Sequence, residues 1–314
     1  MPQTVVLPRA EVWPALPYEE WKATLQTLHM WTQIVGKVRM TLTPPINHWW
    51  HVPLYVCARG LTTTAIPYGV RTVEIDFDFI DHRLVARTSE GELRTMELRP
   101  RSVASFYAEL MEMLGELGIG VRFNTLPQEV PDPIPFDQDT THASYDADAA
   151  HRFWRVLAQA DRVMREFRSR WVGKCSPVHL FWGAVDLAVT RFSGRLAPPH
   201  PGAPGLPDTV TREAYSHEVG SAGFWPGSEM FPQPAFYAYF YPEPEGYRTA
   251  QVGPGGAYYA TDMGEWLLPY DAVRTAPDPD AALMEFLQTS YTAGATLAGW
   301  DPALERSAAA TPAG

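Results

Sequence analysis

The chain has 314 residues, of which 46% are hydrophobic and 12% aromatic, and it carries a net charge of −11. This hydrophobic content excludes a disordered chain, and the length allows a sizeable core in one or two domains. Binding to a phosphate backbone depends on clustered Lys and Arg, and the sequence has no basic run, so no nucleic-acid partner is expected.

Cysteine usage and the chain termini predict the compartment. Cys57 and Cys175 do not form a disulfide framework, and two solitary thiols are typical of a reducing compartment. The stretch from Met1 to Trp13 lacks a cationic start followed by an apolar run, and no long apolar run follows. We therefore expect a soluble, cytoplasmic protein without a membrane partner. Residues 301–314 are predicted to form a flexible tail.

Matching residues recur at a fixed distance along the chain. Four pairs lie 133 positions apart: Trp21 and Trp154, Trp49 and Trp182, Leu54 and Leu187, Val56 and Val189. A fixed offset of this kind indicates a duplicated unit. The runs 88–92 and 261–265 also match, but at an offset of 173 positions, so the second copy gains 40 residues. We place this gain in an inserted loop at 198–234.

The first copy, residues 13–126, is predicted to be an α+β lobe. Apolar residues between Trp21 and Val38 fall on one stripe of a long helix, and Ser102 is placed to cap a closing helix. Strict alternation of apolar and acidic residues at 73–79 indicates a strand with one buried face. Further strands are predicted at 48–57, 83–88 and 93–98.

The second copy, residues 146–300, has the same predicted order. Asp146 or Asp148 is placed to cap its long helix, and Asp278 its closing helix. Strands are predicted at 178–192, 236–241, 257–260 and 265–270. The proline-rich segment 127–145 is predicted to link the lobes. The expected fold is α+β: two tandem pseudo-repeats, each a long helix, about four mostly antiparallel strands and a closing helix, packed about a pseudo-twofold axis.

Candidate catalytic residues come from one strand and from the inserted loop. Asp186 lies in an otherwise apolar strand, where an unpaired carboxylate would lose much of its hydration. Arg191 is its nearest cation in sequence, although it belongs on the opposite face of the strand. Asp186 is thus either half of a structural ion pair or a functional carboxylate with a shifted pKa. In the loop, His217 and Glu218 place an imidazole beside a carboxylate.

Metal-binding and ligand-binding residues are predicted around these positions. His51, His179 and His217 are candidate ligands of a divalent metal, since three or four N or O ligands make a catalytic site. Each histidine can equally be a hydrogen-bonded structural residue. The aromatic residues predicted to line a binding site are Trp49, Trp50, Trp182, Tyr215, Phe224 and Trp225.

Several strings of the sequence together resemble a known family. They are WPALPYEEW, LHMWTQIVGK, NHWWHVPLYV, IDFDFIDHRL, GKCSPVHLFWG, AYSHE and FYPEPEG. They are similar to a family of bacterial proteins described as a domain of unknown function. The resemblance runs from Trp13 to Trp300 and implies a single folded unit, but it assigns neither an activity nor catalytic residues.

The sequence favours an enzyme that acts on a small molecule in a cleft between the lobes, lined by His, carboxylate and Trp residues. Metal-assisted hydrolysis or oxidation is slightly favoured. The alternative is a non-catalytic protein that binds a small molecule in an aromatic pocket, with structural histidines. A protein-interaction scaffold is a third possibility. The substrate, the metal and the oligomeric state are left open.

Overall fold

The described residues of the first half include two long α-helices and one antiparallel sheet. The computed structural model describes residues 12–306. Helix α1 covers Tyr18–Leu42 and helix α2 covers Val103–Glu116. The strands are β1 Tyr55–Cys57, β2 Gly60–Thr62, β3 Ile66–Tyr68, β4 Arg71–Asp78, β5 Arg83–Thr88 and β6 Leu93–Glu97. Their order in the sheet is β1-β2-β4-β5-β6, and β3 pairs with β4.

The described residues of the second half include a second antiparallel sheet and four α-helices. The helices are α3 Ala147–Ser169, α4 Asp208–Ala214, α5 Tyr270–Arg274 and α6 Pro279–Leu297. The strands are β7 His179–Phe181, β8 Asp186–Leu196, β9 His217–Trp225, β10 Ala235–Tyr241, β11 Tyr258–Ala260 and β12 Glu265–Pro269. They are ordered β11-β12-β10-β9-β8-β7. The predicted α+β class is therefore confirmed.

Local sequence signals fix several elements as predicted. In β4, Val73, Ile75 and Phe77 are buried. The two acidic residues between them pair with one arginine: Arg87 lies 3.2 Å from Glu74 and also contacts Asp76. The three predicted caps form. The side chains of Ser102, Asp146 and Asp278 accept hydrogen bonds from the backbone N–H groups of Ser105, Ala149 and Ala281.

Three predicted segments differ in the structure. The strand predicted at 48–57 is reduced to β1, because His48 and Trp49 have positive φ in a short 3₁₀ helix, which interrupts an extended chain. The strand predicted at 178–192 is a hairpin that turns at Val185, also with positive φ. The inserted loop predicted at 198–234 contains helix α4 and the interior strand β9.

The predicted linker and the predicted tail both contact the body of the protein. Segment 127–145 has no helix or strand, but Phe136 within it is fully buried, so it packs against the body of the protein. In the predicted tail, Leu304 and Arg306 form backbone hydrogen bonds with Val172 and Arg170. Residues 307–314 of that prediction lie outside the described residues.

Helix α1 is the central element. Most of its 25 residues are buried, which is more than the single stripe predicted from the sequence. The Trp31 ring stacks on Phe106 of α2 at 4.6 Å, and Trp21 lies 5.0 Å from Phe153 of α3. Because α1 is covered on several sides, the buried apolar residues of both halves form one continuous core. Within residues 12–306 no helix combines the length and the apolarity needed to cross a bilayer.

The two sheets meet edge to edge beside α1. Leu54, just before β1, exchanges two backbone hydrogen bonds with Leu180 of β7, at 2.9 and 2.8 Å. The next residue but one, Trp182, donates from its indole to the backbone oxygen of Val52 at 2.9 Å. Its ring occupies the space that a side chain at Gly36 of α1 would fill. A glycine in mid-helix therefore permits α1, the turn before β1 and the β7–β8 hairpin to come together.

We expect Gly36→Ala to destabilise the protein, although alanine is the better helix former. Alanine gains about 1 kcal/mol of helix propensity, but a methyl group at this position overlaps the Trp182 ring, and overpacking of this kind costs about 1–3 kcal/mol. Urea unfolding followed by tryptophan fluorescence measures the difference. Gly115→Ala in α2 is the matched control, because its added Cβ meets no atom within 4 Å and should stabilise the protein. Equal stabilisation by both changes would contradict the packing role of Gly36.

Candidate functional site

Strand β8 presents two different faces. Arg191 lies on the face towards helices α3 and α6, with its guanidinium 3.5 Å from the ring centroid of Phe167 and 4.3 Å from that of Tyr291. The other face of the strand lines a cavity with Asp186, Ala188, Thr190 and Phe192. Asp186 and Arg191 therefore point to opposite sides of the sheet, as their spacing predicts. They do not form the structural ion pair that was one of the two interpretations of Asp186.

Neighbouring strands continue the cavity face. Tyr237 and Tyr239 of β10 line the cavity, as do Val219 and Ser221 of β9. Pairing between β10 and β12 aligns Ala238 with Trp266. By the alternation of strand residues, Glu265 of β12 therefore belongs to the same face as the two tyrosines.

The cavity encloses about 480 Å³ between the two halves of the chain. The β8–β10 face forms its floor. Its other walls come from the end of α1, the turn before β1, the β7–β8 hairpin, the segment around Glu129, and helix α4 with the residues that precede it. A volume of this size is that of a small-molecule site.

Asp186 is the deepest carboxylate of the cavity wall. The hydroxyl of Tyr237 donates a hydrogen bond to it. This contact reaches across strand β9, where an added Cβ on Gly223 would lie only 2.5 Å from the Tyr237 hydroxyl oxygen. Glycine at this position thus allows the tyrosine ring to cross β9. Burial raises the pKa of Asp186 to about 6, and the Tyr237 hydrogen bond opposes that rise.

Two further carboxylates lie near Asp186. Glu129 is an exposed residue that also lines the cavity, so it marks an opening to solvent, and its carboxylate lies against Gly183. The residue as a whole is exposed, but the contact of its carboxylate with Gly183 removes that group from water. This desolvation and then the charge of Asp186 raise the pKa of Glu129 to about 7. The same two causes, in the same order, raise the pKa of Glu265 to about 7. The three acids therefore titrate close to neutral pH.

His48 lines the opposite end of the cavity with both ring nitrogens engaged. Its Nδ1 lies 2.9 Å from the carbonyl oxygen of Ala214, and its Nε2 lies 2.6 Å from Nζ of Lys174. The carbonyl requires a donor and the ammonium requires an acceptor, so the ring is neutral and its proton is on Nδ1. Burial lowers the pKa of His48, consistent with the neutral ring. His48 therefore has no free nitrogen with which to move a proton.

Five residues predicted as site residues line the cavity. They are Trp49, Trp50, Trp182, Asp186 and Tyr215. The Tyr215 hydroxyl is hydrogen-bonded to that of Tyr239 at 2.8 Å.

Four other predicted site residues are not on the cavity wall. Phe224 is fully buried on the helix side of the sheet, where it packs on Phe236, and Trp225 stacks on Phe231. Glu218 pairs with Arg195 at 2.7 Å. Arg191 occupies the aromatic surroundings described above. Strand alternation explains Phe224, because a single step along β9 changes the face.

The three predicted metal ligands lie on separate elements. His51 follows the 3₁₀ helix and stacks on Trp49; His179 is fully buried in β7; His217 begins β9, with its ring 5.7 Å from that of His48. Within residues 12–306, no three His, Cys, Asp or Glu side chains are grouped so that they could hold a metal ion. The predicted ligand set is thus not assembled, because the fold places the three histidines on separate elements.

Sequence reasoning missed several polar residues of this site, among them Glu129, Glu265, Tyr237 and Tyr239. Glu129 lies in the segment predicted as a linker. Glu265 lies in the run 261–265, which served only to measure the offset between the two copies. Tyr237 and Tyr239 alternate with Phe236 and Ala238 along β10. That alternation is the signal that could have identified a polar sheet face.

The comparisons with known proteins give a family and no activity. The family model that matches is described as a family of unknown function, DUF5996, and it covers residues 13–306. The chain belongs to this family. The comparisons with the curated proteins and with the solved structures returned no match.

We expect Tyr237→Phe to raise the pKa of Asp186 above about 6. Loss of the donated hydrogen bond removes a group that favours the carboxylate, which corresponds to about one pH unit. Carbon-13 NMR titration of labelled aspartate carboxyl groups measures this value. Tyr241→Phe is the matched control, since the Tyr241 hydroxyl donates to the carbonyl oxygen of Pro198 instead. An unchanged Asp186 titration in Tyr237→Phe would contradict the contact.

The stability conferred by Glu265 should decrease as the pH rises. Its pKa is raised from about 4.5 to about 7 on folding, so the folded state holds the proton more tightly than the unfolded state. The contribution is fully present below about 4.5 and is lost as the pH rises through about 7. Glu265→Gln should therefore gain unfolding free energy relative to the wild type between pH 5 and pH 8, on the order of 1–3 kcal/mol. Denaturant titrations at the two pH values provide the measurement, and a difference independent of pH would refute the raised pKa.

Proposed function

We propose that this protein is an enzyme that binds a small molecule in the cavity between its two halves and transfers protons to and from it with Asp186 and Glu129. The observation that carries this proposal is the presence of two carboxylates with raised pKa values in the lining of one aromatic cavity, where the charge of Asp186 acts on Glu129. Groups whose pKa is shifted both by desolvation and by a specific charged neighbour are typical of catalytic sites.

The two carboxylates have different surroundings, which favours different roles. Asp186 is deep and accepts a hydrogen bond from Tyr237, which favours its ionised form, so it suits a proton acceptor. Glu129 lies at the opening and accepts no hydrogen bond from the described residues, and desolvation and the charge of Asp186 raise its pKa and favour its protonated form, so it suits a proton donor. Environments that separate the pKa values of two acids are how one site performs both steps.

Histidine chemistry is less well supported in this cavity. His48 is the histidine that lines the cavity in the described part of the chain, and both of its ring nitrogens are hydrogen-bonded, to Ala214 and to Lys174. His217 contacts His48 and Ser216 without lining the cavity. The carboxylates are therefore the better candidates for acid–base chemistry.

A second candidate function is binding without catalysis. The aromatic residues on the walls, among them Trp49, Trp50 and Trp182, favour it, because large flat side chains bind apolar ligands in the absence of any reaction. In that case the carboxylates would fix the orientation of the ligand.

The pseudo-twofold duplication inferred from the sequence also stays a proposal. In its support, each half has a long helix, a six-stranded antiparallel sheet and a closing helix. Against a simple residue-for-residue match, Leu54 precedes the edge strand β1, whereas its counterpart Leu187 lies within β8, an interior strand.

A chromogenic panel tests the proposed activity. Nitrophenyl glycosides, esters and anilides would be assayed from pH 5 to pH 9 with the wild type and with Asp186→Asn and Glu129→Gln. Any turnover by the wild type should fall about 10²- to 10⁴-fold in each variant, because each removes one proton-transfer group and keeps its shape. Asp81→Asn makes the same chemical change in an exposed turn and should retain full activity.

Two outcomes would count against proton transfer. Turnover that survives in both Asp186→Asn and Glu129→Gln would show that these carboxylates are not catalytic. Absence of turnover with every class of substrate, combined with ligand binding in the cavity, would favour the non-catalytic function.

A further inference from the structure

We infer that the ligand of the cavity carries a protonated amine joined to an apolar or aromatic body, an inference that rests on the proposed function. The amine would lie at the Asp186 end, and the body would lie towards Trp50 and Phe192. Charge, hydrogen-bonding capacity and the distribution of aromatic side chains each bear on this assignment.

The charged groups on the wall are acidic. Asp186 and Glu129 line the cavity, and Glu265 belongs to the same sheet face. The described lining contains neither Lys nor Arg. None of the three carboxylates forms an ion pair with a residue in the range 12–306, whereas Glu218, outside the cavity, pairs with Arg195. A cationic ligand would supply the missing counter-charge, and an anionic ligand would be repelled.

The carboxylates of the cavity offer acceptor positions to a ligand. Four of the wall hydroxyls pair with one another: Thr190 with Ser221 at 2.9 Å, and Tyr215 with Tyr239 at 2.8 Å. Tyr237 donates to Asp186. Within the described part of the chain, the carboxylate of Glu129 accepts no hydrogen bond, and its pKa is shifted by burial and charge alone. An ammonium group, with three donors and no acceptor, matches this arrangement.

Aromatic side chains surround the remaining space. Trp49, Trp50, Phe181 and Trp182 are among the residues that line it. Cations are attracted to the faces of such rings, and an apolar body gains from contact with them.

The far end of the cavity suits an uncharged body. Asp186 and Phe192 are six residues apart on one strand, a distance of about 20 Å. There, the Lys174 ammonium lies 5.1 Å from the Phe192 ring centroid and 5.5 Å from that of Trp50. Its charge disfavours a second cation at that end. The two ends of the cavity therefore distinguish the amine of a ligand from its body.

Three probes of matched size test the ligand class: phenethylamine, 2-phenylethanol and 3-phenylpropionate. Isothermal titration calorimetry at pH 8, where the carboxylates are ionised, should show phenethylamine binding at least about tenfold more tightly than the alcohol, with the carboxylate binding most weakly. The preference for the amine should shrink at pH 5 and in Asp186→Asn. It should also shrink in Glu129→Gln, which changes an exposed residue and is expected to fold even if the buried substitution does not.

A variant whose cavity is filled by a large side chain tests whether phenethylamine binds there. Ala188→Trp places an indole on the cavity floor and should abolish phenethylamine binding, whereas Val70→Trp on the fully exposed turn between β3 and β4 should leave it unchanged. Equal or tighter binding of 2-phenylethanol or 3-phenylpropionate would overturn the amine assignment and leave the proposed function standing. Failure of all three probes to bind would also overturn the amine assignment. The assay with nitrophenyl substrates would then test the proposed function independently.

Discussion

The alternation of strand β8 imposes the constraint from which the cavity follows. One face carries Arg191 into the helix layer, where aromatic rings surround its guanidinium and burial lowers its pKa to about 10. The other face carries Asp186 and Thr190, and the adjoining strand adds Ser221. An apolar helix packed on this second face would bury the Asp186 carboxylate further and would offer it no counter-charge, which is unfavourable. The face is instead covered by short, irregular segments, and these leave space for a ligand.

Polar residues of helix α1 hold two of these segments in place. His29 lies 2.8 Å from the carbonyl oxygen of Gly183, and Gln33 exchanges two hydrogen bonds with the backbone of Gln128. Lys37 donates to the carbonyl oxygens of Asn124 and Leu126, and its burial lowers the ammonium pKa to about 8. The three side chains are four residues apart and therefore share one helix face. That face connects the hairpin before Asp186 to the segment that carries Glu129.

The parts of the structure that the sequence predicted are those encoded over a few neighbouring residues. A cap such as Ser102 is set by the residue three positions later, and the β4 strand by alternation over seven residues. Asp186 was identified because a charge in an apolar strand is visible locally. Its association with Glu129 depends on residues far apart in sequence, and no local pattern specifies it. The three predicted metal ligands were grouped by residue type alone, and within residues 12–306 the fold places His51, His179 and His217 on separate elements.

Backbone conformation gives a further reason to regard the cavity as the functional centre. Seven described residues other than glycine have positive φ, and four of them, His48, Trp49, Glu129 and Val185, line the cavity or adjoin a residue that does. Such conformations cost about 1–3 kcal/mol each where they are strained, and they persist when the surrounding structure fixes them. Here they aim side chains: the turn at Val185 starts β8 at Asp186, and the left-handed conformation of Glu129 accompanies a carboxylate resting on Gly183. A fold that needed only a stable core would have little use for strained residues concentrated around one space.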